Sequence, residues 1–245
     1  MTTVTETRNE KTPAGETSTQ RQFVNFQFFK ADRSLRRESA ELKTDAKRQF
    51  AELVHRYESR MMLIPYSTLG LKSTVDFMLW RISYDIEPFQ QMVSDINKSL
   101  LGRYLDVPQS YLSMTKHSQY VDEHVHEGQE GRRVRIVPGK KPLLFVYPFV
   151  KTRDWYLLPV AERQRIMNDH IAVGHKYPRV KINTTYSFGL DDQDFVVAFE
   201  ADSAAEFLDL VQELRETESS KYTVRDTPMY TCRRASIEEI LDSLV

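Results

Sequence analysis

The stretch TVDFMLWRIS at residues 74–83 decides the fold, because QDFVVAFEA at residues 193–201 repeats its pattern later in the chain. The repeat extends beyond these two strands. Four pairs of residues are each separated by 118 positions: Asp76 and Asp194, Phe77 and Phe195, Phe89 and Phe207, Met114 and Cys232. Agreement at one offset across a strand, a helix and a second strand indicates a duplicated unit.

Working outward from the repeated strands, alternation and helical spacing predict the same element order in both halves. In the first half we expect strands at 21–30, 61–71, 74–83 and 108–115, and helices at 31–60 and 86–101. In the second half we expect strands at 142–150, 179–188, 193–201 and 227–234, helices at 159–175 and 204–216, and a terminal helix at 236–245. The order βαββαβ is ferredoxin-like. Each unit has one sheet face to bury, so the sequence predicts an α+β fold in which two ferredoxin-like repeats form a dimeric α+β barrel within one chain.

Four segments follow from this reading: a disordered tail at 1–20, an N-terminal repeat at 21–115, a connecting loop at 116–141 and a C-terminal repeat at 142–245. The formal net charge of −1 argues against a nucleic-acid-binding protein. A single cysteine, Cys232, excludes an internal disulfide and suggests a reducing compartment. No apolar run reaches the length of a membrane span, and the first residues do not look like a signal peptide. We therefore expect a cytoplasmic protein without membrane insertion.

The loop KHSQYVDEHVHEGQEGRRVRIVPGKK at 116–141 is too long for a simple linker, and loops of that length usually serve a site or an interface. Arg132, Arg133 and Arg135 enter the next strand. Their guanidinium groups are either solvated, or they converge on carboxylates and bind them with paired hydrogen bonds. The loop also carries His117, His124 and His126 with Glu123 and Glu127. A divalent metal site is the functional interpretation of that group, and a flexible exposed loop is the alternative.

In the second half, one strand and one helix carry further candidate functional residues. Alternation along the strand at 142–150 directs Tyr147 and then Lys151 to one face, among aromatic side chains. This is either a buried tyrosine beside a strand-end lysine, or a redox or acid–base tyrosine beside a lysine that binds an anion. His170 lies on the apolar face of the helix, one turn before Gly174. It is either a core histidine or the single neutral imidazole that a pentacoordinate haem needs, with Gly174 allowing a flat ring to approach.

Four stretches together resemble the chlorite dismutase-like haem proteins, and especially their coproheme decarboxylase branch. They are YPFVKTRDWYLLP (147–159), MNDHIAVGHKYP (167–178), NTTYSFGLDDQDFVVAFEAD (183–202) and LRETESSKYTVRDTP (214–228). The resemblance implies an iron tetrapyrrole held by His170, a radical-forming Tyr147, and Lys151 beside the reacting propionate. It also implies propionate binding by Arg133, with Arg135 as the alternative, an acid at Glu218 near the proximal side, and a homopentamer.

One departure from the family pattern bears on the reaction. Chlorite dismutases carry a distal arginine, whose place here falls on Ile182. An apolar side chain there cannot donate to a bound oxyanion. The resemblance therefore implies that coproheme is the substrate, hydrogen peroxide the oxidant and haem b the product of two decarboxylations. The alternatives are chlorite dismutation, a haem-binding protein without turnover, and a barrel that binds another small ligand.

Overall fold

A computed structural model describes residues 20–118, 120 and 135–244. The first half contains β1 (Phe23–Ala31), α1 (Ala40–Glu58), β2 (Met62–Ser67), β3 (Phe77–Ser83), α2 (Glu87–Lys98) and β4 (Leu105–Met114). The second half contains β5 (Leu143–Lys151), α3 (Arg153–Leu157), α4 (Val160–His175), β6 (Lys181–Tyr186), β7 (Phe195–Ala201), α5 (Ala204–Glu216), β8 (Thr223–Arg225), β9 (Tyr230–Arg234) and α6 (Ile237–Leu244). The predicted α+β fold of two ferredoxin-like repeats is confirmed.

Three local predictions need correction. The helix predicted over 31–60 begins only at Ala40, because the Ser39 side chain caps it by accepting from the backbone N–H of Leu42. A separate 3₁₀ turn precedes it at Arg33–Arg37. The short elements α3 and β8 were not predicted, although both lie next to the end of β5. Their positions matter for the candidate site.

The strands form a closed antiparallel barrel. Their order is β7-β6-β4-β1-β3-β2-β9-β5-β8, and a further pairing of β5 with β7 closes the ring and leaves β8 outside it. The two halves meet at two seams, where β4 pairs with β6 through Met114 and Tyr186, and β2 pairs with β9 through Tyr66 and Arg234. Closure removes the free sheet edges and gives the barrel an interior and an outer face.

Apolar side chains fill three layers. The barrel interior includes Val24, Phe26, Trp80, Leu144, Val146, Val196, Ala198 and Cys232. A first outer layer lies under α1, α2 and α6, and includes Phe29, Phe50, Leu53, Phe77, Phe89 and Leu241. A second outer layer lies on the outer face of the second half and comprises Phe145, Tyr147, Val180, Phe199, Ala201, Phe207 and Leu210. Although α6 ends the chain, it packs into the first outer layer.

The corresponding helices of the two halves pack differently on the barrel. Five residues of α1 are buried: Ala46, Phe50, Leu53, Val54 and Tyr57. In α4 one residue is buried, Ile166. The opposing strand β6 leaves Ile182 38% exposed. Thus α1 is sealed against its sheet, whereas α4 covers its own sheet only in part.

The repeated aspartates serve the same purpose in both halves. A carboxylate oxygen of Asp76 accepts from the backbone N–H of Ala31 at 2.9 Å, at the end of β1. A carboxylate oxygen of Asp194 accepts from the backbone N–H of Lys151 at 2.8 Å, at the end of β5. Each aspartate therefore fixes the end of the first strand of its repeat, and in the second half that end carries Lys151.

No helix within the described ranges is both long and apolar enough to cross a membrane. The predicted tail at 1–20 lies outside the described residues except for Gln20.

Replacing Asp76 by alanine should lower the free energy of unfolding by about 1–3 kcal/mol, because it leaves the buried N–H of Ala31 and the ammonium of Lys30 without their acceptor. Urea unfolding measures the change. Asp242→Ala is the matched control, since it removes an exposed ion pair with Lys47 and should change stability by less than about 0.5 kcal/mol. Equal effects of the two substitutions would contradict this role for Asp76.

Candidate functional site

Alternation along β5 separates its side chains between two layers. Leu144 and Val146 point into the barrel interior, whereas Phe145 and Tyr147 belong to the second outer layer. Tyr147 is 6% exposed, and its ring stacks on Phe199 with centroids 5.9 Å apart. Burial raises the pKa of its phenol. The phenol is therefore protonated at neutral pH. No described residue forms a hydrogen bond with its hydroxyl group, so its proton is not donated within the described part of the chain.

Lys151 lies at the end of β5, after a register shift between Val150 and Lys151. Its side chain turns inward and is 9% exposed. The ammonium donates to the backbone carbonyl of Ser219 at 2.8 Å and lies 4.5 Å from the centroid of the Trp155 ring. In the described part of the chain no carboxylate pairs with it. Burial lowers the pKa of this amine to about 8.

His170 projects from the middle of α4 and is half-buried. Its Nδ1 lies 3.0 Å from the hydroxyl oxygen of Ser219. Burial, together with the smaller effect of the Lys151 charge, lowers the pKa of the imidazole to about 4. The ring is therefore neutral at pH 7. Among the described residues Ser219 is its hydrogen-bond partner, which leaves Nε2 free for another ligand.

Ser219 is the residue that joins Lys151 to His170, and the sequence did not single it out. It lies in the 3₁₀ turn Glu218–Tyr222 and is buried. Its backbone carbonyl accepts from Lys151, and its hydroxyl oxygen contacts His170. The acid expected near this position, Glu218, instead pairs with Arg165 at 2.8 Å. The contact to the imidazole of His170 is therefore made by a neutral hydroxyl.

Gly174 and Ile182 face each other between α4 and β6. A Cβ added at Gly174 would have the Cδ1 atom of Ile182 as its neighbour, at 4.0 Å. Asn183 lies on the opposite face of β6 and donates to the carboxylate of Glu200 at 3.0 Å. The structure therefore places Ile182 on the side of the sheet that faces α4, as alternation predicted.

Of the three predicted arginines, the structure describes Arg135. Arg132 and Arg133 lie outside the described residues, as do His124, His126, Glu123 and Glu127. Arg135 is exposed, and its guanidinium carbon lies 5.7 Å from the centroid of the Tyr84 ring. Within the described ranges no group of three or more His, Cys, Asp or Glu residues could hold a metal ion. Propionate binding by Arg133 or Arg135 stays a prediction.

Comparison with known proteins identifies the family to which this closed α+β barrel belongs. The sequence profile of the chlorite dismutase family matches residues 43–235. A coproheme decarboxylase from Mycolicibacterium smegmatis is 32% identical over 180 residues, which are 73% of this chain and 75% of the relative. The chain belongs to the chlorite dismutase family.

Solved structures agree with this assignment at the level of the fold. A mutant chlorite dismutase from Candidatus Nitrospira defluvii superposes with a TM-score of 0.82, and the same organism's enzyme in complex with imidazole superposes with a TM-score of 0.81. Each is 23% identical, and each match covers 91% of this chain and 94% of the other. Similarity at this level of identity supports the barrel architecture alone.

In the protein without bound ligand, the amine of Lys151 should titrate near pH 8, well below the ordinary value of 10.5. Because the pKa of Lys151 is lower in the folded state than in the unfolded state, its buried charge destabilises the fold below pH 8. The free energy of unfolding should therefore increase as the pH rises from about 8 to 10.5, where the folded protein has lost this proton and the unfolded chain still holds it. NMR of ¹³C-methylated lysines measures the titration, and Lys151→Met assigns the resonance. Titration of Lys151 near the ordinary value of 10.5 would contradict its burial.

Proposed function

We propose that this protein is a coproheme decarboxylase, which converts coproheme to haem b with hydrogen peroxide as the oxidant. The observation that carries the proposal is the connection of Lys151 and His170 through Ser219, at the end of β5, the strand that also carries Tyr147. The 32% identical relative from Mycolicibacterium smegmatis, named coproheme decarboxylase, supports the same reaction. The substrate is an iron tetrapyrrole with four propionates, and the product keeps two of them.

The donor set fits an iron tetrapyrrole. A neutral imidazole on a helix, with Nε2 free among the described residues, is the single axial ligand that such iron takes from a histidine. A buried ammonium that pairs with no carboxylate of the described residues suits a propionate. Because α4 covers its sheet only in part, β6 faces the helix at Ile182 with a partly exposed apolar side chain. His170 would hold the iron, and Ile182 would line the opposite side.

The reaction balances for each propionate. The side chain –CH₂CH₂COO⁻ loses carbon dioxide, one proton and two electrons and becomes a vinyl group, while one hydrogen peroxide takes up two electrons and two protons to give two water molecules. When bound, the iron supplies the centre at which peroxide is reduced. The protein has to hold the propionate near an oxidisable group and keep that group from solvent.

Tyr147 and Lys151 have properties that suit these tasks. The phenol of Tyr147 is protonated, buried and uncommitted, so it can lose an electron and a proton and then take a hydrogen atom from the propionate chain. Lys151 has a pKa of about 8, which lets it orient a carboxylate as a cation or give a proton near neutral pH. Asp194 holds the backbone of Lys151 and thereby the position of its side chain.

The distal side favours decarboxylation over chlorite dismutation. Ile182 occupies the place where the family resemblance expects the arginine of chlorite dismutases, and β6 carries no arginine between Lys181 and Tyr186. Without a fixed donor, stabilisation of a bound oxyanion is reduced by roughly 2–4 kcal/mol. The proposal also includes the predicted homopentamer and cytoplasmic location, which sedimentation analysis and cell fractionation would measure.

Purified protein mixed with coproheme and hydrogen peroxide should show two successive losses of 46 Da, about the mass of CO₂ plus two hydrogen atoms, by mass spectrometry of the tetrapyrrole. Tyr147→Phe should bind coproheme and slow the first loss by about 100-fold or more, the scale on which removal of a proton-exchanging group lowers a rate. The matched control is Tyr177→Phe, because Tyr177 packs against the same layer but donates its hydroxyl to Glu213.

Three outcomes would overturn parts of this proposal. An unchanged tetrapyrrole in wild-type protein, with haem b bound tightly, would leave a haem-binding protein without turnover. Oxygen release from chlorite, followed with an oxygen electrode, would instead favour chlorite dismutation. An unaltered rate in Tyr147→Phe would remove that phenol from the reaction.

A further inference from the structure

The imidazole of His170 and the two hydroxyl groups behind it form a continuous chain of hydrogen bonds. Nδ1 of His170 lies 3.0 Å from Oγ of Ser219, and this oxygen lies 3.2 Å from Oγ1 of Thr217. The Thr217 hydroxyl in turn donates to the backbone carbonyl of Leu214 at 2.7 Å. The chain therefore runs from the middle of α4 to the last turn of α5.

The end of the chain fixes its direction. A carbonyl oxygen only accepts hydrogen bonds, so the single proton of the Thr217 hydroxyl is used on Leu214. Oγ1 of Thr217 then has only lone pairs to offer, and the Ser219 hydroxyl must donate to it. With its proton so used, Ser219 can only accept from His170. The imidazole is therefore protonated at Nδ1, and the lone pair lies on Nε2.

Other contacts hold the chain in this orientation. The backbone carbonyl of Ser219 accepts from Lys151, which anchors the residue independently of its hydroxyl. The backbone N–H of Thr217 also points to the Leu214 carbonyl, at 3.3 Å. This carbonyl belongs to the C-terminal turn of α5, where the helix dipole makes carbonyl oxygens more negative and so better acceptors. The orientation in which Thr217 donates to Leu214 is therefore the favoured one.

We infer that Thr217 and Ser219 are positioning residues that set the tautomer of His170, so that Nε2 is presented as the ligand for tetrapyrrole iron. The inference rests on the role proposed above for His170. Neither residue needs to touch the tetrapyrrole. A metal-binding histidine whose second nitrogen is fixed in this way has a defined tautomer and ring orientation before the metal arrives.

The tautomer can be measured without any tetrapyrrole. In ¹⁵N-labelled protein at pH 7.5, two-bond ¹H–¹⁵N NMR spectra should show His170 protonated at Nδ1. Thr217→Val keeps the shape of the side chain but frees the Ser219 proton to donate to Nδ1, so a substantial population protonated at Nε2 should appear. Ser219→Ala removes the acceptor and should have the same effect. Thr217→Ser keeps a hydroxyl and should restore the wild-type spectrum.

A matched control comes from the same turn. Ser220 donates its hydroxyl to the backbone carbonyl of Thr217, outside the chain that leads to His170. Ser220→Ala should therefore leave the His170 tautomer unchanged. In coproheme titrations followed by absorbance, Thr217→Val and Ser219→Ala should weaken binding by about 10- to 100-fold, whereas Ser220→Ala and Thr217→Ser should bind like the wild type.

Even if a variant fails to fold, the spectrum of the wild-type protein tests the inference. Protonation of His170 at Nε2 would overturn it, and so would an Nδ1-protonated ring that Thr217→Val and Ser219→Ala leave unchanged. A third outcome separates the two claims. If His170 is protonated at Nδ1 in the wild type and its tautomer changes in these variants, but the wild type does not decarboxylate coproheme, the roles of Thr217 and Ser219 hold and the proposed reaction is rejected. The two claims therefore fail separately.

Discussion

The unequal cover of the two outer faces of the barrel is the constraint on which the site depends. Closing the ring of strands buries one face of each repeat in a common interior, and each repeat must then protect its other face with its own helices. In the first half α1 does so with five buried residues, and α6 adds to the same layer. In the second half α4 buries one residue and leaves Ile182 exposed. The duplicated fold thus seals the outer face of one half and leaves that of the other partly uncovered.

The same comparison explains how the working residues are held. Asp76 and Asp194 perform one structural task at equivalent strand ends, so the support for Lys151 comes from the duplication itself. What differs is the residue that each aspartate fixes, which is Ala31 in the first half and Lys151 in the second. Burial of the imidazole, and to a lesser extent repulsion by the nearby ammonium, keep the ring of His170 neutral. Neutrality of the ring is thus a property of the site before any ligand binds.

The fold could be read from the sequence because its signals are repeated and periodic. The offset between the two halves revealed the duplication, and alternation placed Tyr147 and Lys151 on one face of β5. Helical spacing placed His170 on the face of α4 that also carries Ile166 and Val173. Each of these inferences needed only the geometry of one element.

The remaining features depend on contacts between elements distant in sequence. Nothing in the run ESSKY distinguishes Ser219 from Ser220, since the two differ only in what the fold brings beside them: His170 and Lys151 for one, the Thr217 backbone for the other. The strand β8 is three residues long and has no apolar pattern, so it is defined by its pairing with the end of β5. Glu218 was expected near the proximal side; its carboxylate pairs with Arg165, and its role stays a prediction.

The central claim is that the outer face of the second half takes an iron tetrapyrrole on His170. Crystals of the protein with coproheme, measured at the iron absorption edge, test it most directly. The account predicts one anomalous peak per chain within bonding distance of Nε2 of His170, with Ser219 still at Nδ1 and a propionate near Tyr147 and Lys151. An iron peak elsewhere on the chain, or a macrocycle whose iron is not bound by His170, would contradict it.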